Sequence, residues 1–324
     1  MKKFPKGARV IFLGSSITVG GWVSYVYDEY LRQMPESGIE MYNCGISGGC
    51  AQSATDYLEE YGLCYNPTHA VILLGINDAG LWMYTLPDGA NNFENAEQMR
   101  YSERCARIGA YCEKMEKLVD ILQGRGIAVT LCSPSCFDES HNPSELRTVG
   151  FDAALEYMGE CNRQLAERKG CEYMNMHALM RQFYPIADIV RPDRVHLHPQ
   201  GQILMAKLFL AAQGMLPMPD FGDAEAVAAY IEGAKEENNE LLQENAKLHT
   251  MARSFCRAYD GDYLIACRSE SDDPAVRKAY VEEFLKTAQD FWIELAEKYL
   301  EIFPNKEKYR KELVAQTKLC ASSK

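Results

Sequence analysis

The sequence predicts an α/β protein: a three-layer α/β/α sandwich around a five-stranded parallel sheet, followed by a C-terminal helical extension. Three observations predict it. Short apolar runs alternate with helix-periodic stretches, and this βαβα rhythm calls for parallel strands joined by helical crossovers. Three of the runs, 8–13, 69–74 and 127–132, are continuously apolar, as strands covered on both faces are. From about Pro219 the rhythm gives way to long, charged helical patterns, which sets a domain over 1–218 and an extension over 219–324.

The first run, "ARVIFL" (8–13), leaves through Gly14-Ser15-Ser16 into a helical stretch at 21–34. The second, "IEMYN" (39–43), is followed by a Gly-rich segment and a helix over 51–61. The third, "HAVILL" (69–74), opens into a long loop, Ala79 to Met99, before a helix over 101–124. Loops of that length in compact domains are usually functional or mobile. "IAVTLC" (127–132), a helix over 150–169, "CEYMNM" (171–176) and a helix over 199–214 complete the pattern. Strand ends rich in Gly, Asn and Ser then gather at the carboxyl edge, where open α/β sheets bind ligands.

In the extension, Val227, Ala234, Leu241, Leu248 and Phe255 recur every seven residues, with Ile231, Asn238, Asn245, Ala252 and Tyr259 four later. That is a heptad-like stripe weakened by two asparagines. A second helix starts near Pro274, with Asp273 as its cap. The pair reads as helices packed on the main domain, with an oligomer interface or a lid as the other readings.

Composition bounds the function. Of 324 residues, 47 % are hydrophobic and 25 % charged, enough to build a core without disulfides. A formal net charge of −12 argues against a nucleic-acid partner, which needs clustered cations. The 12 cysteines form no CxxC pair and read as reduced thiols. "MKKFPKGARVIFLG" lacks a signal-peptide apolar region, and no stretch approaches the roughly 20 apolar residues of a membrane span. These features predict a cytoplasmic protein with no membrane partner and a small-molecule substrate.

Four polar clusters fall at strand ends or in the last loop: Gly14 to Thr18, Asn43 to Gly49, Gly75 to Asp78, and Asp193 to His196. Singly, each reads as a turn or a cap. Together they supply a serine hydroxyl, an imidazole, a carboxylate, a Gly-rich backbone and a side-chain amide at one sheet edge. Acyl transfer by serine asks for that set. No HExxH or paired-carboxylate site occurs, so neither a metal nor another cofactor is expected.

Over roughly residues 8–215 the chain resembles the SGNH hydrolases, the GDSL-type esterase and lipase superfamily. "GSSIT" resembles its GDS(L/I) block, "NCGISGG" its N-x-G-x-S-G block, "GIND" its GxND block and "DRVHLHPQG" its DxxH block. The resemblance implies a flavodoxin-like sandwich with a five-stranded parallel sheet. It implies Ser16, not Ser15, as nucleophile, His196 as general base and Asp193 as its orienting acid. Oxyanion donors would be the backbone N–H groups of Ser16 and Gly48 and the amide of Asn77. Two positions depart from the family pattern: Ser15 stands for the Asp of GDS, and Gly49 for an Asp common after Ser-Gly. His198 competes with His196, but only Asp193 to His196 has the DxxH spacing.

Trp82 and Tyr84 leave the same strand end as Asn77 and are expected to border the pocket, where aromatics suit a sugar face or an acyl slot. The expected activity is hydrolysis of small O-acyl esters, such as acetylated sugars; a short-chain lipid ester or a thioester also fits. A serine acyltransferase would use the same residues. The third reading is a non-catalytic binding or scaffold protein on this fold, forming homo-oligomers through the C-terminal helices.

Overall fold

A computed structural model of the chain describes residues 1–85, 100–139 and 148–236. The chain divides into two compact units, Met1–Asn239 and Glu240–Lys324. Most of the loop expected over 79–99, the stripe beyond 236 and the helix after Pro274 lie outside the described residues.

The first unit is built on five parallel strands: β1 (Arg9–Gly14), β2 (Glu40–Gly45), β3 (His69–Leu73), β4 (Ala128–Cys132) and β5 (Glu172–Met174), in the order β2-β1-β3-β4-β5. Ten helices follow in chain order among the described residues: α1 (Ser16–Val19), α2 (Trp22–Gln33), α3 (Ala51–Asp56), α4 (Leu58–Tyr61), α5 (Ile76–Ala79), α6 (Tyr101–Gly124), α7 (Phe151–Lys169), α8 (Met176–Arg181), α9 (Pro199–Ala212) and α10 (Ala224–Glu236). Every strand but β5 is almost wholly buried, which is why the β1, β3 and β4 sequences carry no polar alternation. α2 packs on α9, and α6 packs on α3, α5 and α7. An aromatic cluster of Phe12, Trp22 and Phe209, with centroids 5.3–5.9 Å apart, ties β1 to α2 and α9.

Register decides where the site sits. Gly14 pairs with Gly45 on one side and Leu73 on the other, so β1, β2 and β3 end at one level. The strand order reverses between β1 and β3, and such a reversal leaves a crevice at the carboxyl ends of the strands.

Three expectations are adjusted. The helix over 51–61 is broken at Tyr57 into α3 and α4. The last strand stops at Met174 because the Asn175 side chain caps α8, accepting the Ala178 N–H at 3.0 Å. The first compact unit also runs past residue 218. α10 lies on α9 with Val227, Ile231 and Ala234 buried, so the first turns of the heptad stripe are core of this unit.

Candidate active site

β1 delivers Ser15 and Ser16 directly into α1. Ser15 is the N-cap, 1 % exposed, and its Oγ faces the Ile17 N–H at 3.5 Å. Ser16 is the first helical residue and is partly open to solvent. α1 can settle onto the strand ends because two glycines make room. A Cβ on Gly14 would lie 2.0 Å from Thr18 Oγ1, and one on Gly45 would meet Val19 N at 2.8 Å. Asn43 completes the clamp: its amide donates to Thr18 O at 2.7 Å and its Oδ1 accepts from Gly45 N at 3.1 Å.

Hydrogen bonds lash the three strand-end loops together. Ile46 N donates to Gly14 O at 2.9 Å, and Asn77 Nδ2 donates to Gly49 O at 2.9 Å. Gly48 is exposed with φ 73°, in the left-handed region that favours glycine. The departure at Gly49 has a steric reason here. A Cβ there would lie 2.7 Å from Ile46 O and 3.1 Å from Gly14 O, so this loop has no room for an aspartate.

Asp78 is a site residue that the sequence reading did not single out. Its Oδ1 accepts the Ala51 N–H at 3.0 Å, satisfying the start of α3, while its buried Oδ2 has no partner. Burial raises its carboxyl above the usual range, opposed incompletely by the Ala51 hydrogen bond and by Lys114 and Arg107. Arg107 donates to the carbonyls of Asp78 (2.9 Å) and Asn77 (3.2 Å); Arg104 donates to Met83 O (2.8 Å) and Arg100 to Trp82 O (3.0 Å). Spacings of four and three put these arginines on one helical face. That spacing is the signal by which the clamp could have been found.

The last cluster reaches the same edge from the loop before α9. Asp193 Oδ1 accepts the backbone N–H groups of Val195 (2.9 Å) and His196 (2.8 Å). Asp193 Oδ2 lies 2.8 Å from His196 Nδ1, and His196 Nε2 lies 2.8 Å from Ser16 Oγ. Burial raises the Asp193 carboxyl, but the hydrogen bonds from the His196 backbone, the His196 ring and Val195 outweigh it, so the net shift is downward. An anionic Asp193 selects the tautomer with its proton on Nδ1, leaving Nε2 to accept from the Ser16 hydroxyl. Asp193–His196–Ser16 is therefore a continuous hydrogen-bonded line from a carboxylate to a hydroxyl, the arrangement that activates serine. His198 is the N-cap residue of α9 and faces a separate cleft of about 780 Å³ beside Tyr184, Ile186 and Arg191.

The two aromatics part ways. Trp82 is 60 % exposed, with the guanidinium groups of Arg100 and Arg107 at 5.5 and 5.9 Å from its ring. Tyr84 is 3 % exposed, held between Arg104 at 4.2 Å and Phe151 at 5.2 Å. It is a packing residue with no open face, which corrects the expectation that it borders the pocket.

The model of the GDSL-like lipase/acylhydrolase family matches residues 12–204, which includes all four clusters. The chain belongs to that family. It is a carboxylic ester hydrolase. An acetylxylan esterase of Geobacillus stearothermophilus is 25 % identical over 233 residues, covering 65 % of this chain and 96 % of the relative. Among solved structures, a gut microbial diltiazem-metabolizing enzyme superposes with a TM-score of 0.55 at 28 % identity, covering 66 % of this chain and 48 % of that one. This chain thus spans about half of that protein. The crystal structure of the Geobacillus stearothermophilus acetylxylan esterase gives a TM-score of 0.52 at 21 % identity, covering 66 % and 98 % of the two chains, and shares the fold. In this GDSL-like hydrolase, no described helix is long and apolar enough to cross a membrane. The nine described cysteines are all free thiols.

Proposed function

We propose that this esterase removes small acyl groups, acetyl first among them, from hydroxyls of carbohydrate substrates, with Ser16 as nucleophile. The observation that carries the reading is the line Asp193–His196–Ser16, with both links at 2.8 Å. His196 takes the Ser16 proton as Oγ attacks the acyl carbonyl, and Asp193 keeps the imidazole oriented and stabilises the imidazolium that forms in the transition state. The carbonyl oxygen becomes an oxyanion facing the N–H groups of Ser16 and Gly48 and the Asn77 amide. Each preorganised donor of this kind lowers the barrier by about 2.7–4 kcal/mol. His196 then returns the proton to the leaving sugar hydroxyl. Water, activated by the same imidazole, releases the acid and restores Ser16.

The carbohydrate part rests on two supports. One is the exposed Trp82 ring beside the Asn77 loop, an apolar face of the kind that stacks on a pyranose. The other is the similarity to an acetylxylan esterase. The test is a panel of p-nitrophenyl esters of increasing chain length beside acetylated xylo-oligosaccharides, with and without added sugar alcohols. Acetate release that falls steeply with acyl length supports the reading. A preference for long chains, or transfer of the acyl group to the added alcohol in place of water, refutes it.

A further inference from the structure

Arg194 lies inside the turn from Asp193 to His196, and it is the one residue of 191–194 whose side chain is buried, at 6 % exposure. Its φ of 60° puts it in the left-handed region; Asn66 is the other non-glycine residue there among the described residues. Asparagine tolerates that conformation and glycine takes it freely, but a long side chain does so only when its surroundings enforce it.

The surroundings are a fixed corner of the fold. Arg194 Nη1 donates to Asp138 O at 3.3 Å and Nη2 to Thr148 Oγ1 at 3.2 Å, while the guanidinium lies 4.7 Å from the Phe137 ring. Phe137 is itself held. Its N–H donates to Asp152 Oδ1 at 2.8 Å, and its ring meets Phe151 edge-on at 5.0 Å. Phe151 and Asp152 are the first two residues of α7, so the arginine is linked through Phe137 to the start of a 19-residue helix.

The turn needs such an anchor. The side chains of His196 and Asp193 are 39 % and 49 % exposed, so packing does little to fix them. The turn's hydrogen bonds, Arg194 N to Arg191 O and Arg191 N to His196 O (both 2.7 Å) with those that Asp193 Oδ1 accepts from Val195 N and His196 N, shape it locally, and its triad side chains meet the sheet edge through the His196–Ser16 hydrogen bond itself. We propose that Arg194 is a positioning residue for the reaction: its buried guanidinium holds the strained turn so that Asp193 and His196 stay in line with Ser16. This rests on the serine mechanism proposed above.

The test uses full-length Arg194→Gly, Arg194→Ala and Arg194→Lys with p-nitrophenyl acetate, reading kcat, KM, Tm and rescue by millimolar guanidinium ion. Glycine keeps the left-handed turn at no strain and removes only the anchor. It should keep KM within about twofold while kcat falls at least about tenfold, as expected of misplaced groups. Guanidinium ion should restore part of that kcat. Alanine, which keeps the strain and loses the anchor, should be slower than glycine. Lysine, which lacks the planar fork, should recover less than half of wild-type kcat. Wild-type kcat in Arg194→Gly, or a loss that guanidinium ion leaves unmoved, overturns the proposal. If Arg194→Gly does not fold, Thr148→Val removes one acceptor of the fork; an unchanged kcat there overturns it equally. Ser16→Ala run alongside separates the two readings. An active Ser16→Ala overturns both, whereas an inactive Ser16→Ala beside a fully active Arg194→Gly overturns this one alone.

Discussion

His196 Nε2 lies 2.8 Å from Ser16 Oγ although 180 residues separate them in the chain. The contact forms because β1 and the loop before α9 both end at the edge where the strand order reverses. Ser15, one residue earlier, is buried as a cap and faces Ile17 instead. Ser16→Ala is therefore expected to lose turnover by several orders of magnitude and all labelling by a serine-directed phosphonate. Ser15→Ala should still label, with a stability cost below about 1 kcal/mol because its capping hydrogen bond is long. Mass spectrometry of the adduct decides: phosphonate on Ser15 would sink the assignment.

Asp193 makes two predictions at once. Asp193→Asn should lower kcat by between about 10² and 10⁴, since the imidazole loses its orienting acceptor; partial exposure favours the smaller loss. The stability effect has a sign. The folded carboxyl sits below its unfolded value, so its contribution is present above about pH 4 and is lost as pH falls through the folded pKa. The Tm gap between wild type and Asp193→Asn should accordingly be open at pH 7 and close below about pH 4. A gap that widens in acid would contradict the hydrogen-bonding pattern. His196→Ala should be as slow as Ser16→Ala, and His198→Ala nearly wild type; equal losses at both histidines would mean the base is misassigned.

Asp78 has the opposite linkage. Its folded pKa is raised, so between the unfolded value near 3.9 and the folded one the native state binds the extra proton and stability falls as pH rises. Asp78→Asn removes that slope. As pH rises from about 4, the accompanying fall in Tm should be smaller in the variant than in wild type. Identical pH profiles by calorimetry would show that the buried, unpartnered Oδ2 carries no such penalty.

The fold was legible because its signals are local. Continuous apolar runs mark β1, β3 and β4, and the expected 101–124 and 150–169 helices agree with α6 and α7 to within a residue, each flanked by glycine or an amphipathic break. The site clusters were legible as sets of residue types. What escaped is what depends on three dimensions. Asp78 looks like part of a turn until the start of α3 is seen resting on it. Arg194 looks like a spacer until its side chain is followed to Thr148. Tyr84 and Trp82, two positions apart, read alike as pocket aromatics, yet one is buried against Phe151 and the other is open.

That difference yields a substrate test. If Trp82 offers its face to a sugar, Trp82→Ala should raise KM for acetylated xylo-oligosaccharides by about 1–2 kcal/mol worth of binding, roughly five- to thirtyfold, and leave KM for p-nitrophenyl acetate nearly unchanged. Tyr84→Phe should change neither, because no hydrogen bond of the open site depends on it. Parallel rises in KM for both esters after Trp82→Ala would point to a general loop defect and remove the support for a sugar platform.

The last prediction concerns where the esterase unit ends. Ser16, Gly48, Asn77, Asp193 and His196 all precede Gly201, so the proposed chemistry needs nothing beyond α9. Stability needs more. Tyr230 stacks on Phe183 at 6.0 Å and Phe221 meets Phe183 at 5.6 Å. Gln200 Nε2 donates to Ile231 O at 3.0 Å, and Val227, Ile231 and Ala234 are buried. Uncovering a valine or isoleucine costs about 1.5–3 kcal/mol each, an upper figure because the unfolded chain is not fully extended. A chain stopped at Met218 should therefore melt roughly 5–15 °C below one stopped at Asn239. Both should label at Ser16 below their melting temperatures. Equal melting temperatures would mean that α10 adds nothing to this unit and that the boundary belongs at 218 after all. Loss of labelling in a folded chain stopped at Asn239 would mean that residues after 239 complete the active site.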